Sequence, residues 1–289
     1  MKLTKMTVVL SNNMPLGNSS AEQWRGRVAV VTGAASGIGK ALAQRFAAAG
    51  IDLALADVEA GPLQRVAGEL GALAVPTDVG QPNQVEALAR ATLDRFGRVD
   101  ALCNNAGVVG GAGHLPELGD DDWRWVFDVN LFGTVNAVRA FLPHLLENEA
   151  GGRIVHTASD AGLMAMPLLP HYCASKAAMI SFSESVALEL QRLGRDDIRV
   201  SVLLPGPVHT RFGESGRHRP ERFGAHPEQT RDAEVLAAID SVATTSEVVA
   251  DFAFDAMVEG RFWVPMHTRN AAPLQRRLDE LIAAMPSSD

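Results

Sequence analysis

The chain has 289 residues, of which 47% are hydrophobic, and a formal net charge of −8 at pH 7. This apolar content is enough for a large core, whereas nucleic-acid binding needs a basic face that an acidic composition does not provide. No apolar run approaches the ~20 residues needed to cross a membrane. We therefore expect a soluble protein that binds neither nucleic acid nor membrane.

The N-terminal residues 1–24 are expected to form a loosely ordered tail, either native or the product of an upstream start codon. The apolar stretch Met6–Leu10 is too short for a secretory signal. The chain has only two cysteines, Cys103 and Cys173, with neither metal-ligand spacing nor a disulfide framework. We expect a reducing, cytoplasmic location, no metal, and a single domain over residues 25–289.

Strands and helices are predicted to alternate along the chain. The apolar runs that predict strands lie near residues 28–32, 52–57, 72–77, 99–104, 152–157, 199–204 and 262–265. A later helix is predicted to start at Ser246 and the last to span Pro273–Met285. This alternation indicates an α/β protein with a doubly wound Rossmann fold, in which helices cover both faces of a seven-stranded parallel sheet.

The first predicted strand leads into a glycine-rich segment, Thr32–Gly39, that opens a helix. Gly33 allows a tight turn, Gly37 lets backbone approach a phosphate, and Gly39 lets the helix pack closely on the sheet. The helix N-terminus would stabilise a pyrophosphate through its unpaired N–H groups and its dipole. A plain strand-to-helix turn remains the alternative for this segment alone.

The second predicted strand ends in Asp57, 18 residues beyond Gly39. This offset is typical of a carboxylate that accepts hydrogen bonds from the adenosine ribose of NAD. A 2′-phosphate there would cost about 1 to 4 kcal/mol for each pair of like charges at ~4 Å. The next residues, Val58–Ala60, include no Arg or Lys, so the sequence favours NAD over NADP. An ordinary surface carboxylate is the alternative.

Five motifs follow one another along the chain: Thr32–Gly39, Asn104-Asn105-Ala106-Gly107, Ser159, Tyr172-x-x-x-Lys176, and the loop Pro205–Thr210. In this order they resemble the short-chain dehydrogenase/reductase family. The resemblance spans Arg27 to about Val264, nearly the whole chain. It implies an oxidoreductase that transfers a hydride between NAD(H) and a small-molecule secondary alcohol or ketone.

The resemblance also implies four catalytic residues. Tyr172 would be the general acid/base, Lys176 would bind the nicotinamide ribose and lower the tyrosine's pKa, and Ser159 would hold the substrate oxygen. An ammonium ~4 Å from the phenol supplies about 4 kcal/mol in a partly dry site, which, with help from the charge of the oxidised nicotinamide, is sufficient for this pKa change. Asn130 matches the position whose side chain holds a water linked to the lysine. For Ser159 and Asn130, helix capping or kinking is the alternative.

Further positions match cofactor contacts of the family. Asp78 and Val79 would meet adenine, Asn105–Gly107 would line the adenosine ribose, and the loop after the sixth strand would hold the nicotinamide carboxamide. The full predicted set is Gly33, Ser36, Gly37, Ile38, Gly39, Asp57, Asp78, Val79, Asn105, Ala106, Gly107, Tyr172, Lys176, Pro205, Gly206, Val208 and Thr210. Turn chemistry alone also accounts for Gly, Pro and Asn in such loops.

The segment from His209 to about Ser241 is expected to be a lid over the substrate. It is basic and aromatic in an acidic protein, with Arg211, Arg217, His218, Arg219, Arg222 and His226 beside Phe212 and Phe223. One hypothesis is that these cations close over a substrate that bears a carboxylate or phenolate. The alternative is a solvated lid whose charges face outward.

Assembly and two rival functions rest on the same resemblance. It implies a homo-oligomer, a dimer or tetramer, formed through helices around residues 120–146 and 170–192. An NADPH-preferring ketoreductase is one rival function, and Asp57 argues against it. A non-catalytic NAD-binding sensor is the other, and such proteins usually lack the tyrosine or the lysine that this chain retains.

Overall fold

The computed structural model describes residues 21–224, 241–267 and 270–286. In these ranges seven strands form one parallel sheet with the order β3-β2-β1-β4-β5-β6-β7. They are β1 (Val28–Thr32), β2 (Asp52–Asp57), β3 (Leu73–Pro76), β4 (Ala101–Asn104), β5 (Gly152–Thr157), β6 (Ile198–Leu204) and β7 (Trp263–Pro265). The predicted doubly wound Rossmann fold is confirmed, and each predicted strand is present to within two residues.

Eight α-helices lie in the described part of the chain. They are α1 (Gly37–Ala48), α2 (Ala60–Leu70), α3 (Pro82–Phe96), α4 (Asp120–Phe127), α5 (Gly133–Glu147), α6 (Pro170–Arg192), α7 (Ser246–Glu259) and α8 (Ala271–Ala283). Helix α8 starts two residues before the predicted position, because Pro273 falls in its first turn, where a missing N–H is tolerated. None of these described helices is long and apolar enough to cross a bilayer.

The sheet separates two hydrophobic cores because side chains alternate between the faces of each strand. One face packs against α1, α2 and α7, where the rings of Phe46 and Phe254 lie 5.7 Å apart. The other face packs against α3, α5 and α6 and buries Phe141 and Met179. Strands buried on both faces read as continuous apolar runs, which is why the sequence located them well.

The folded domain begins before residue 25. Residues Ala21–Trp24 form a 3-10 turn, and Trp24 is only 3% exposed. The guanidinium carbon of Arg27 lies 4.9 Å from its ring centre, and that of Arg153 lies 5.6 Å away. Trp24, which the sequence analysis assigned to the tail, therefore belongs to the core. The rest of the expected tail, residues 1–20, lies outside the described residues.

A π-helical segment, Asp128–Phe132, joins α4 to α5. The sequence predicts a long helix around residues 120–146, with a kink as the alternative role of Asn130. Such segments usually occur as single turns inside α-helices, frequently at functional sites. Here the segment carries Asn130, which is fully buried, toward the ends of the central strands.

Candidate active site

A cleft with a volume of about 940 Å³ opens at the carboxyl ends of strands β1 to β6. The strand order reverses between β1 and β4, and ligands of open α/β sheets bind in the crevice at such a point. All the predicted cofactor residues line the cleft except Gly39, and so do Ser159, Tyr172 and Lys176. The topology thus gathers segments from the whole chain in one place.

The glycine-rich turn is shaped for a close approach of backbone. Gly33 has a φ of +67°, and a Cβ there would lie 2.8 Å from the Cα of Ala106. A Cβ at Gly39 would collide with the carbonyl of Gly33 and would lie 2.6 Å from Nδ2 of Asn105. Ser36 precedes α1 without a side-chain capping bond, so the first N–H groups of the helix suit a pyrophosphate.

The adenosine end of the cleft is fixed by two carboxylates. Oδ2 of Asp57 accepts a hydrogen bond from the N–H of Ala35 at 3.0 Å, and its Oδ1 accepts one from the N–H of Glu59 at 2.9 Å. Oδ1 of Asp78 accepts from the N–H of Gly80 at 3.0 Å. These bonds hold Asp57 between the glycine-rich turn and the loop after β2, the place a ribose-binding carboxylate needs.

The loop after β4 is tied to the end of β1. The N–H groups of Asn105 and Ala106 donate to Oγ1 of Thr32 at 3.0 and 3.1 Å, and Nδ2 of Asn105 donates to the carbonyl of Thr32 at 3.1 Å. The predicted ribose-lining segment is therefore a fixed wall of the cleft.

The loop after β6 closes the opposite wall. Val208 pairs with Thr244 in an isolated parallel bridge. Oγ1 of Thr210 accepts from the N–H of Phe212 at 3.2 Å and so caps a 3-10 turn, Arg211–His218. A Cβ on Gly37 would lie 3.0 Å from Cγ2 of Thr210, so this loop meets the glycine-rich turn across the cleft.

Helix α6 presents Tyr172 and Lys176 to the cleft from one face, as their spacing predicted. Tyr172 is 9% exposed and Lys176 is 2% exposed. Nζ of Lys176 lies 5.9 Å from the centre of the Tyr172 ring and donates to the carbonyl of Thr157 at 2.8 Å. Oγ of Ser159 accepts from the N–H of Ala161 at 3.1 Å, and its hydroxyl can donate to Oδ1 of Asp160 at 3.2 Å or to the carbonyl of Pro205 at 3.5 Å.

The protein's own groups keep Tyr172 protonated. Burial raises the pKa of Tyr172 above its ordinary value, although the hydrogen bond from Ser159 opposes this rise. Burial also lowers the pKa of Lys176 to about 7. The prediction that Lys176, helped by the charge of the oxidised nicotinamide, lowers the tyrosine's pKa concerns the complex with cofactor and stays a prediction. In the protein alone, the loss of hydration of a buried phenolate dominates.

Asn130 clamps a loop of the cleft to α6. Its Oδ1 accepts from the N–H of Val108 at 2.8 Å, and its Nδ2 donates to the carbonyl of Val108 and to Oγ of Ser175, both at 2.9 Å. The hydroxyl of Ser175 donates in turn to the carbonyl of Tyr172 at 2.8 Å. Both amide protons of Asn130 are thus engaged, and its binding of a water stays a prediction.

The comparisons with known proteins agree with this geometry. The family model described as short chain dehydrogenase matches residues 27–221. The chain belongs to the short-chain dehydrogenase/reductase family. Members of this family bind a nicotinamide cofactor, and this protein is an oxidoreductase that acts on the hydroxyl or keto group of a small molecule.

Relatives in this family cover most of the chain. The 1-deoxy-11-beta-hydroxypentalenate dehydrogenase of Streptomyces arenae is 38% identical over 258 residues, which cover 87% of this chain and 85% of that protein. The meso-2,3-butanediol dehydrogenase of Serratia marcescens is 35% identical, with coverages of 82% and 89%. A solved short chain dehydrogenase/reductase from Burkholderia phymatum in complex with NAD is 38% identical, with a TM-score of 0.82 and coverages of 92% and 98%.

This family member carries His156 in the strand that leads to Ser159. Nδ1 of His156 lies 2.7 Å from Oγ of Ser183, whose hydroxyl donates to the carbonyl of Met179 at 2.6 Å, so Nδ1 carries the proton. Burial, and then the charge of Lys176, lower the pKa of His156 to about 3. His156 is thus a neutral residue that joins β5 to α6.

The structure describes the segment predicted to be a lid, from His209 to about Ser241, up to residue 224 and again at residue 241. Arg211, Arg217 and His218 all contact Oε2 of Glu59. Two further pairs are Arg219 with Asp122 at 2.7 Å and Arg222 with Asp78 at 3.7 Å. These cations pair with carboxylates of the protein. They therefore do not simply face solvent, as the alternative predicted, and they do not surround Tyr172, as the first hypothesis predicted. His226 lies outside the described residues. These pairs could not be predicted from the sequence, because their members are far apart along the chain.

The surroundings of Tyr172 on the substrate side are apolar. The ring of Phe212 lies 5.8 Å from the ring of Tyr172, and Val109 and Leu169 pack against the buried cluster that Tyr172 forms with Ala161 and Cys173. Oγ of Ser215 accepts from the N–H of Val109 at 3.1 Å, which ties the lid turn to the loop after β4. The side chains around the reacting groups therefore suit an apolar substrate.

Proposed function

We propose that this enzyme interconverts an apolar secondary alcohol and its ketone with NAD(H), and that Tyr172 is its general acid/base. One observation carries the proposal. A single cleft holds the carboxylate of Asp57 at one end and Tyr172, Ser159 and Lys176 at the other. This is the order in which a dinucleotide and a carbonyl substrate need these groups.

The residues of the cleft fit a dinucleotide throughout. The uncapped start of α1 suits its pyrophosphate, Asp57 its adenosine ribose, and the loop Pro205–Thr210 its nicotinamide end. When bound, the cofactor accepts or supplies the hydride. The enzyme's own residues orient the substrate and move its proton.

Tyr172 and Ser159 would handle the substrate oxygen. In the oxidative direction the phenolate of Tyr172 takes the hydroxyl proton, and the hydroxyl of Ser159 donates a hydrogen bond to the oxygen. In the reductive direction Tyr172 gives the proton to the oxygen of the ketone. Because its pKa is raised by burial, the protein without cofactor holds Tyr172 in the form that donates.

Lys176 would carry protons between Tyr172 and the rest of the site. Its pKa of about 7 lets it gain and lose a proton near neutrality, and the carbonyl of Thr157 holds its ammonium in place. Asn130 would keep the facing loop in position through both polar groups of Val108. This assigns Asn130 a positioning role in addition to the predicted water contact.

The preference for NAD would come from the carboxylate of Asp57. Its two oxygens are fixed by the N–H groups of Ala35 and Glu59, so the carboxylate cannot turn away from a 2′-phosphate. Like charge at that distance disfavours NADP. The solved relative from Burkholderia phymatum contains NAD, which agrees with this choice.

The substrate would be an uncharged molecule with apolar surface. Phe212, Val109 and Leu169 are the apolar neighbours of Tyr172 and its cluster, whereas the lid cations in the described residues pair with Glu59, Asp78 and Asp122. Burial of a carboxylate against this apolar wall would be unfavourable. Polar substrates such as open-chain polyols fit it less well.

Initial rates with NAD and with NADP across cyclic, aromatic and steroid secondary alcohols test the proposal. We expect turnover with NAD, a preference for NAD in kcat/KM, and higher kcat/KM for neutral apolar alcohols than for carboxylate-bearing analogues. Absence of turnover with every alcohol and with the matching ketones would contradict the enzyme assignment. A preference for acidic substrates would contradict the substrate class alone.

We also infer a homo-oligomer in a reducing, cytoplasmic compartment. Both cysteines, Cys103 and Cys173, are free and buried, which suits such a compartment. Phe132, between α4 and α5, is 51% exposed on the surface that family members commonly use for assembly. Light scattering after size exclusion would give a dimer or tetramer mass, and a monomer at micromolar concentration would contradict the assembly.

A further inference from the structure

Glu59 receives three basic side chains of the lid on a single oxygen. Its Oε2 lies 3.3 Å from Nη2 of Arg217, 3.6 Å from Nη2 of Arg211 and 3.4 Å from Nε2 of His218. The Glu59 side chain is 21% exposed. Arg217 and Glu59 lie 158 residues apart along the chain, so the fold alone creates this cluster.

The cluster is fixed to the ribose-binding corner of the cleft. The backbone N–H of Glu59 donates to Oδ1 of Asp57, and Asp57, Glu59, Arg211, Arg217 and His218 all line the same cleft. Basic residues are therefore present beside Asp57 in space, although the residues that follow Asp57 in sequence include none.

The charges of this corner balance only because Glu59 is there. Arg211 and Arg217 carry two positive charges, and Asp57 and Glu59 carry two negative ones. Burial, and then the charge of Arg217, lower the pKa of His218, so His218 adds little charge at neutral pH. Without the charge of Glu59, two guanidinium groups would remain against one carboxylate.

We propose that Glu59 determines the coenzyme preference by neutralising Arg211 and Arg217, which otherwise form a site for the 2′-phosphate of NADP(H). Guanidinium groups bind phosphate through paired, charge-assisted hydrogen bonds, and a carboxylate competes for the same donors. Asp57 excludes the phosphate by its own charge, and Glu59 occupies the groups that would offset that exclusion. This inference rests on the proposed preference for NAD.

Binding of two small probes tests the inference without any turnover. Adenosine 2′,5′-bisphosphate and AMP differ only in the 2′-phosphate. The variant Glu59→Gln keeps the shape of the side chain and removes its charge, and Glu86→Gln makes the same change on the exposed face of α3, where Glu86 pairs with Arg90. Calorimetry gives the Kd of each probe for both variants and the natural protein.

We expect Glu59→Gln to tighten binding of the bisphosphate by roughly 10- to 100-fold, the range of one or two charge-assisted hydrogen bonds. AMP binding should stay unchanged, and Glu86→Gln should change neither. Adding Arg211→Gln and Arg217→Gln to the Glu59→Gln protein should remove the gain. An unchanged bisphosphate Kd in Glu59→Gln, or an equal change for both probes, would overturn the proposal.

A second variant keeps the test decisive if Glu59→Gln unfolds. Arg217→Gln in the natural background should weaken the bisphosphate and leave AMP unchanged, because Glu59 is then less neutralised. If the Kd of each probe for this variant equals its Kd for the natural protein, the proposal is also overturned. Because these probes require no hydride transfer, this result is independent of the enzyme assignment.

Discussion

Lys176 lies beside Tyr172 on one face of α6, with Nζ 5.9 Å from the phenol ring centre, yet it donates to the carbonyl of Thr157. The pair therefore does not behave as a simple ammonium–phenolate contact. Burial raises the pKa of Tyr172 and lowers that of Lys176 to about 7, which disfavours the charged form of each. The positive charge that favours a phenolate must then come from the oxidised nicotinamide as well.

The ionisation of Tyr172 can be observed directly because it is the only tyrosine of the chain. Since burial raises its pKa above the ordinary value of about 10, tyrosinate absorbance of the folded protein without cofactor should appear only above that pH. Addition of NAD should shift the absorbance change to lower pH. A tyrosinate signal near pH 7 without cofactor would contradict this account.

The ionisation of Tyr172 also predicts how the rates depend on pH. Reduction of a ketone needs protonated Tyr172, so its rate should hold at neutral pH and fall as pH rises through the pKa of the tyrosine in the complex. Oxidation of the alcohol needs the phenolate and should rise over that interval. Measured kcat/KM profiles in both directions should cross in this way. Parallel profiles would argue against Tyr172 as the single acid/base.

Gly39→Ala and Gly68→Ala form a matched pair. A Cβ at Gly39 would collide with the carbonyl of Gly33 and with Asn105, whereas one at Gly68, inside α2, meets nothing within 4 Å. Gly39→Ala should lower the free energy of unfolding by about 1 to 3 kcal/mol and weaken NAD binding. Gly68→Ala should raise the free energy of unfolding by roughly 0.4 to 1 kcal/mol. Equal effects in urea titrations would contradict the close packing at Gly39.

Asn130→Ala should affect catalysis through the position of the Val108 loop. The variant leaves the N–H and carbonyl of Val108 without their side-chain partner, at a cost of about 1 to 3 kcal/mol for each buried group left unpaired. We expect a lower free energy of unfolding and a lower kcat, and the pH dependence of the rate should keep the same shape. A profile that changes shape while stability is unchanged would favour a direct role in proton transfer.

Much of the fold followed from the sequence because its signals are local. The strands are buried on both faces and read as apolar runs, and α6 alone sets the spacing of Tyr172 and Lys176. The position of Asp57 at the end of β2, in the cleft, could be predicted because the segment that separates it from Gly39 has a standard length. These predictions needed no knowledge of contacts between distant segments.

The remaining features depend on contacts between distant segments. The cations of the lid meet Glu59 only after the chain folds, the π-helical turn at Asn130 depends on packing against α6, and Trp24 is buried by residues far along the chain. The pKa of Tyr172 depends on how completely its hydroxyl is buried away from water. The identity of two residues does not reveal this burial. The effect of burial on this pKa therefore could not be predicted from Tyr172 and Lys176 alone.

The central claim is that Tyr172 transfers the proton of the substrate hydroxyl. Tyr172→Phe removes only the phenolic oxygen, so initial rates for a cyclic secondary alcohol with NAD, measured beside the Kd for NAD, test it most directly. We predict a loss in kcat of about 10²- to 10⁴-fold, the usual contribution of a positioned acid/base, with NAD affinity retained. A variant that keeps the natural rate would contradict the account.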